Sequence, residues 1–268
     1  NVQYENSMKF KSFKIIGVLF VIAFALTFSL SAMSSCSSAS DTDEYKLVED
    51  GKLKVAMSLD YPPFESMDGE TPVGFDVAVI QEVANRLGLS CEIANVGLQG
   101  IVPAVQKGEK YDVGISALSI NSDDEAKVDF TSSYYIAEQA IVVLDGSYNN
   151  AEDLQDLPVA AQPGTTSYFY TRDSVSNRVV PHSNLQDCFA ELQAGTVKAV
   201  VTEYQVAKSL LANGYTNCEI LEKVATSEEY GIAVNKDNHA LTDAINEALA
   251  SMEDDGTLEA LRAQYLAL

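Results

Sequence analysis

Tyr111-Asp112-Val113-Gly114-Ile115-Ser116-Ala117-Leu118-Ser119-Ile120-Asn121-Ser122-Asp123-Asp124, followed by Val128-Asp129-Phe130, is the stretch that decides the fold. Val113 to Ser116 reads as a short buried strand that runs out into small hydroxyl residues and then into an acidic segment opening a helix. In an open α/β sheet, ligands sit just beyond the carboxyl ends of strands. Ser116 to Asp124 is therefore where a small molecule is expected.

Upstream, Lys52-Leu53-Lys54-Val55-Ala56-Met57 alternates as a first strand and breaks at Asp60-Tyr61-Pro62-Pro63-Phe64-Glu65, where two prolines forbid both helix and ladder. A loop carrying Tyr61 and Phe64 straight after a strand is aimed at the strand-end crevice. Tyr61, with its polar tip, suits a ligand wall, and Phe64 suits either the wall or the core. Gly74-Phe75-Asp76 then opens a helix with apolar residues at helical spacing from Val77 to Leu87, stopped by Gly88. Cys91 to Val96 is a second strand, and Leu98 to about Gly108 a short helix. This β-α-β-α-β order predicts a parallel, doubly wound sheet.

Downstream, Ile136 to Leu144 is an apolar run that begins a second unit. Leu157 to Ala161 reads as a strand, and Gln162-Pro163-Gly164-Thr165-Thr166-Ser167 opens a helix through Tyr168 and Tyr170. Glycine before hydroxyl residues at a helix start presents free N–H groups, which suits an anion; Thr165 or Thr166 is equally suited to be a plain N-cap. Leu185 to Leu192 is a helix closed by Gly195. Val197 to Glu203 is a strand that ends on a carboxylate, repeating the strand-end geometry of the first unit. Tyr230 to Val234 reads as a final strand, and Leu241 to Met252 and Leu258 to Leu266 as closing amphipathic helices.

From Met8 the chain carries Lys9, Lys11 and Lys14, then an apolar run from Ile15 to Leu30, then Met33-Ser34-Ser35-Cys36. A basic start, an apolar stretch short of the roughly 20 residues of a membrane span, and small residues at its end describe a secretory signal. The small-residue pair before Cys36 looks like a bacterial lipobox, with Cys36 as the lipidated first residue; the alternative is an uncleaved anchor with an incidental cysteine. Ser37 to Glu44 reads as a polar tether, with folding expected from near Lys52. Without Glu5, Lys9, Lys11 and Lys14, the chain from Cys36 holds 38 acidic against 14 basic side chains, a net charge of about −24. Such a surface repels nucleic acid and anionic headgroups, so neither is expected as a partner. Cys91, Cys188 and Cys218 lack metal-ligand spacing; Cys188 and Cys218 either pair in an exported protein or stay single buried thiols. No metal site and no cofactor is expected.

Taken together, Asp60-Tyr-Pro-Pro-Phe-Glu65, Gly74-Phe-Asp76, Ile101-Val-Pro-Ala104, Ser119-Ile120, Val128-Asp-Phe130, Gly164-Thr-Thr166, Tyr230-Gly-Ile-Ala-Val234 and Asp255-Gly-Thr257 follow one another in an order that resembles the polar amino-acid solute-binding proteins of ABC importers. The resemblance implies an α/β, two-lobed type II periplasmic binding protein fold, each lobe a mostly parallel sheet flanked by helices, with a two-strand hinge. It divides the chain into a signal peptide over 8–35, a tether over 36–49, lobe 1 over 50–136 and 230–268, and lobe 2 over 137–229. It implies a lipid-anchored, extracytoplasmic, monomeric carrier that closes over an amino acid or related amine-bearing solute and docks on an ABC permease. Closure requires a ligand that touches both lobes.

Carried over residue by residue, the resemblance implies that Tyr61, Phe64 and Leu98 line the apolar part of the pocket. Ala117 and Ser119 hold the ligand's polar end, Thr165, Thr166 and Ser167 grip a carboxylate, Glu203 receives an ammonium, and Leu118 and Gly164 are expected among the ligand-binding residues beside them. One position departs from the family pattern: Asp124 stands where an arginine that clamps the ligand's carboxylate is expected. Either the solute lacks a free α-carboxylate or binds it mainly at the Thr165-Thr166 helix start, with Asp124, Asp60 and Glu203 making a pocket for a basic or amine-bearing solute, or Asp124 faces solvent and another cation, with Arg172 nearest in sequence to the Gly164–Ser167 segment, replaces the arginine. The same fold also hosts cyclohexadienyl-dehydratase-like enzymes and ligand-sensing domains. The expectation here is a binding protein and not an enzyme, since neither His182 nor His239 is expected at a strand end.

Overall fold

The computed structural model describes residues 45–267. Cys36 and the signal segment lie outside the described residues. The chain runs β1 (Lys52–Met57), β2 (Ser66–Asp68), β3 (Thr71–Val73), α1 (Phe75–Arg86), β4 (Ser90–Asn95), α2 (Leu98–Lys107), β5 (Val113–Gly114), α3 (Ser122–Glu125) and β6 (Val128–Phe130). It continues through β7 (Tyr135–Leu144), β8 (Pro158–Ala161), α4 (Thr166–Tyr170), β9 (Arg178–Pro181), α5 (Leu185–Gln193), β10 (Ala199–Glu203), α6 (Tyr204–Asn213), β11 (Cys218–Tyr230), β12 (Ala233–Asn235), α7 (His239–Asp254) and α8 (Thr257–Tyr265).

Two sheets of five strands form, in the orders β4-β1-β5-β12-β6 and β11-β7-β10-β8-β9. In each, two neighbouring pairs are parallel and two antiparallel. The parallel pairs come from strand-helix-strand units, as the alternating pattern predicts. The antiparallel pairs come from strands that enter each sheet from the other. The protein is thus a mixed α/β structure of two lobes.

The expected final strand is divided between the lobes: β11 ends at Tyr230 in the second sheet, and β12 starts at Ala233 in the first. Gly231 and Ile232 cross over there, beside the other crossing segment at Thr131 to Tyr134. The two crossings are bonded to each other, Thr131 N to the Ile232 carbonyl at 3.0 Å and Tyr134 N to the Tyr230 carbonyl at 3.0 Å. Around them Phe64, Phe75, Tyr134, Tyr135 and Tyr230 pack ring against ring with centroids 5.3 to 6.4 Å apart. Such pairs add about 0.5–1.5 kcal/mol each beyond their area.

Folding starts earlier than the sequence suggests. Val48 N bonds Asp112 Oδ1 at 2.7 Å, and the Asn238 amide donates to the Lys46 carbonyl at 2.7 Å, so these residues lie on the body and not in a free tether. The loop after β1 is held down by α1, whose first N–H groups point at it: Phe75 N to the Pro63 carbonyl at 3.0 Å and Asp76 N to the Phe64 carbonyl at 2.9 Å. Gly74 makes this approach possible. Its φ is 133°, and a Cβ there would sit 2.2 Å from the Phe64 carbonyl oxygen.

Candidate functional site

The parallel strands β1, β5, β8 and β10 end on one cavity, and the residues just beyond their carboxyl ends form its wall. From the loop after β1 come Ser58, Asp60, Tyr61 and Glu65. After β5 come Ser116, Ala117, Leu118 and Ser119, then Asn121, Asp124 and Lys127. The second lobe supplies Gln162, Gly164 and Thr165 after β8 and Glu203 at the end of β10. Helix α2 closes one side with Leu98, Gln99 and Val102. The cavity measures about 160 Å³. A single water needs roughly 10–15 Å³ on such a scale, so the space suits a solute of amino-acid size.

The lobes meet across it. The Tyr61 hydroxyl is 3.0 Å from Thr202 Oγ1, Gln99 Nε2 donates to the Pro163 carbonyl at 2.7 Å, and Gln186 Nε2 donates to the Asp60 carbonyl at 3.0 Å. The Ser119 hydroxyl donates to Glu228 Oε1 and lies 3.4 Å from Thr166 Oγ1. Glu228, on β11, also accepts from Gln139 Nε2 at 2.6 Å, and the Ser167 hydroxyl donates to Gln139 Oε1 at 2.6 Å. One chain of side chains therefore links the stretch after β5, the crossing strand β11 and the start of α4.

Four buried carboxyls, Glu65, Asp76, Glu203 and Glu228, lie in or under the wall. Burial, and after it the neighbouring Glu228 charge, push Glu203 up to about 8. The Tyr230 hydroxyl, which has no partner of good hydrogen-bond geometry, pulls the other way. Burial and then the Asp76 charge raise Glu65 well above the usual carboxylate range, and burial raises Asp76 to about 6. Asp76 Oδ2 accepts from Ala117 N at 2.6 Å and from the Tyr134 hydroxyl at 2.9 Å, while Ser116 donates to Glu65 Oε1 at 2.7 Å. The remaining oxygens, Glu65 Oε2 and Asp76 Oδ1, have no protein donor. Burial thus favours the neutral form of both carboxyls, and the Asp76 charge raises Glu65 further. Ala117, held by Asp76, takes a φ of 47°, in the left-handed region, at the cavity edge.

Of the residues expected in the site, Asp60, Tyr61, Leu98, Ala117, Leu118, Ser119, Asp124, Gly164, Thr165 and Glu203 border the cavity. Phe64 does not. It is fully buried in the aromatic cluster at the crossing, and Tyr61 alone of the loop's two rings faces the cavity. Ser167 is also off the wall, buried against Gln139, and Thr166 reaches the site only through Ser119. Thr165 takes the N-cap role, accepting from Tyr168 N at 3.3 Å while its hydroxyl donates to the Gln162 carbonyl at 2.7 Å.

Asp124 lines the cavity and is paired with Lys127 Nζ at 2.8 Å. Arg172 is no substitute cation: it is half-exposed, bound to its neighbour Asp173 at 2.6 Å, and absent from the wall. Lys127, which sequence reasoning passed over, is the cation at the site. Its signal was spacing alone, three residues after Asp124 on one helical turn. Glu228 was missed as well, within a strand whose charges hide it. His182 does follow directly on a strand, β9, although that is an edge strand away from the cavity. Cys188 and Cys218 are free thiols, and burial pushes the Cys188 thiol up to about 12.

The description "Bacterial extracellular solute-binding proteins, family 3" belongs to a family whose model matches residues 53–267. The chain is 28% identical over 220 residues to an ABC transporter arginine-binding protein of Escherichia coli strain K12, covering 80% of this chain and 90% of that protein. A solved ancestral arginine-binding protein bound to glutamine superposes with a TM-score of 0.75 at 34% identity, over 82% of this chain and all of that one. An ancestral amino acid-binding protein described as a precursor of cyclohexadienyl dehydratase superposes with a TM-score of 0.73 at 29% identity, over 81% of this chain and 96% of that one.

Proposed function

Because the chain belongs to the family 3 bacterial extracellular solute-binding proteins, we propose that it captures a cationic amino acid, or an amine-bearing relative of one, between its lobes and delivers it to the permease of an ABC importer. In this reading lobe 1 spans 50–136 and 230–268, lobe 2 spans 137–229, and the paired crossings are the hinge. The protein works outside the cytoplasm as a monomer, held to the membrane by lipid on Cys36, and it binds without catalysing a reaction. The similarity to arginine-binding proteins supports the solute class.

The observation that carries the reading is the charge of the wall. Asp60, Asp124 and Glu203 border the cavity from both lobes, against the single lysine Lys127. Asp60 and Asp124 attract an entering cation from lobe 1, and Glu203, protonated in the empty site at neutral pH, ionises towards it from lobe 2, which is what closure needs. Charge-assisted hydrogen bonds in such shelter contribute about 1.5–3 kcal/mol each.

Titration calorimetry with arginine, lysine, alanine and glutamate tests it. Binding of a cationic member at micromolar Kd or tighter is expected, with glutamate at least about 100-fold weaker, a gap of about 2.7 kcal/mol. Glutamate binding as tightly as arginine would overturn the reading.

A further inference from the structure

The wall of the cavity is rich in acceptors and short of free hydroxyl and cationic donors, and its amides are engaged too, Gln99 on the Pro163 carbonyl, Asn121 on the Ser119 carbonyl and Asp124, and Gln162 on the Ser183 carbonyl. Four serine and threonine hydroxyls border it, and each already gives its one proton to the protein. Ser58 donates to Asp60 at 2.8 Å, Ser116 to Glu65 at 2.7 Å, Thr165 to the Gln162 carbonyl at 2.7 Å, and Ser119 to Glu228. Lys127 is the only cation among the described residues that line the cavity, and its ammonium is 2.8 Å from Asp124. Opposite these groups stand the carboxyls of Asp60, Asp124 and Glu203.

We propose that the occupant is a cation without a free carboxylate, an aliphatic amine or guanidino-amine. An α-amino acid brings two opposite charges, and its carboxylate needs donors as surely as its ammonium needs acceptors. Here the carboxylate would meet hydroxyls whose protons are committed and a lysine already neutralised by Asp124. Binding it would break those internal bonds or leave a charge unpaired in a sheltered space. The decarboxylated counterpart requires only acceptors: Asp60 and Asp124 supply them from lobe 1, and Glu203 from lobe 2 once it gives up its proton as the cation arrives.

The inference rests on the cationic reading of the cavity, and one comparison separates the two. Calorimetry on the purified chain with agmatine and arginine, which differ by one carboxylate, is expected to give agmatine a Kd at least about 100-fold lower. Arginine methyl ester, whose carboxylate is masked, is expected to bind tighter than arginine. Arginine binding as tightly as agmatine, or tighter, would overturn the inference and leave the cationic reading standing. Binding of glutamate with neither agmatine nor arginine would overturn both. Lys127→Met supplies a second readout: agmatine affinity is expected to rise severalfold when the like charge is removed, whereas a tenfold loss of arginine affinity with no gain for agmatine would assign Lys127 to a ligand carboxylate and sink the proposal.

Discussion

The Tyr61 hydroxyl lies 3.0 Å from Thr202 Oγ1, so a side chain from the loop after β1 touches, across the cavity, the strand that ends in Glu203. Thr202 in turn lies 3.2 Å from Glu203 Oε2. Closure of the lobes and the position of the buried carboxyl are therefore coupled through one pair of hydroxyls. Tyr61→Phe keeps the ring on the wall and removes the link. A hydrogen bond of this kind is worth about 0.5–1.5 kcal/mol net, so solute affinity is expected to fall about 3- to 10-fold. The melting temperature of the ligand-free protein should change by no more than about 6 °C. Calorimetry and a thermal melt on one variant check both, and an unchanged Kd would mean the contact does not report on closure.

The buried carboxyls give the ligand-free protein an unusual pH dependence. Glu203 sits at about 8 in the fold, Asp76 at about 6, and Glu65 is raised well above the usual range, chiefly by burial. The unfolded chain releases these protons near pH 4. Between about pH 5 and pH 8 the native state therefore holds more protons than the unfolded one, and stability falls as pH rises. The carboxylates held below their usual range, such as Asp255 at about 2, act the other way but only under about pH 4. Urea unfolding at pH 5.5 and pH 8.0 should show a lower midpoint at the higher pH with the slope unchanged. Glu203→Gln should shrink the difference. A midpoint that rises with pH would contradict the assignment.

Much of this was legible in the sequence, for reasons that also mark where legibility stopped. β1, β4, β7 and the closing helices announce themselves because one face is apolar at the period of the element. The 13-residue β11 does not: Cys218-Glu-Ile-Leu-Glu-Lys-Val-Ala-Thr-Ser-Glu-Glu-Tyr230 lies at a sheet edge with charged residues on its open face and a register shift before Glu228. Sequence reasoning assigned no element to residues 218–229, and with them went Glu228. The site residues after each parallel strand were readable because the fold class sets strand ends against the crevice. Which ring faced the ligand was not, since Tyr61 and Phe64 are separated by a tight turn, Phe64 N to the Tyr61 carbonyl at 3.0 Å, that sends one outward and one into the core. Arg172 was the nearest cation in sequence to the Gly164–Ser167 segment, yet Lys127 is the one at the cavity, because the turn that follows α3 bonds Lys127 N to the Asp124 carbonyl at 2.8 Å and sets the two side chains together.

Gly74→Ala tests how the loop after β1 is held. The added Cβ would lie 2.2 Å from the Phe64 carbonyl oxygen and 2.9 Å from Glu65 N, both backbone atoms, at a φ of 133° that alanine disfavours. No rotamer change relieves a backbone clash, so the loop must lift from α1. A loss of at least about 3 kcal/mol is expected, or a fall in melting temperature of roughly 6–12 °C for a body of this size. Solute binding should weaken in the folded fraction as Tyr61 and Glu65 shift. A variant as stable as the parent would show that the contact between loop and helix does not hold the site.

Glu228→Gln separates the electrostatic and the structural work of one residue. In the native protein Glu228 accepts from both Ser119 and Gln139, the latter at 2.6 Å, and its charge is the second cause, after burial, of the high value at Glu203. A glutamine keeps one acceptor for Ser119 but sets an amide donor against the Gln139 amide. Gln139 must then turn over and surrender the Ser167 hydroxyl now donated to its oxygen at 2.6 Å. Leaving one such buried group unsatisfied costs about 1–3 kcal/mol, a drop of roughly 2–12 °C in melting temperature. With the neighbouring charge gone, Glu203 ionises more readily. The pH at which affinity for a cationic solute rises should therefore move down from near 8, even as the protein becomes less stable. Affinity and stability shifting in opposite directions at neutral pH is the expected signature, read by calorimetry across pH 6 to 9 and by a melt. A parallel loss of both would mean that Glu228 serves packing alone.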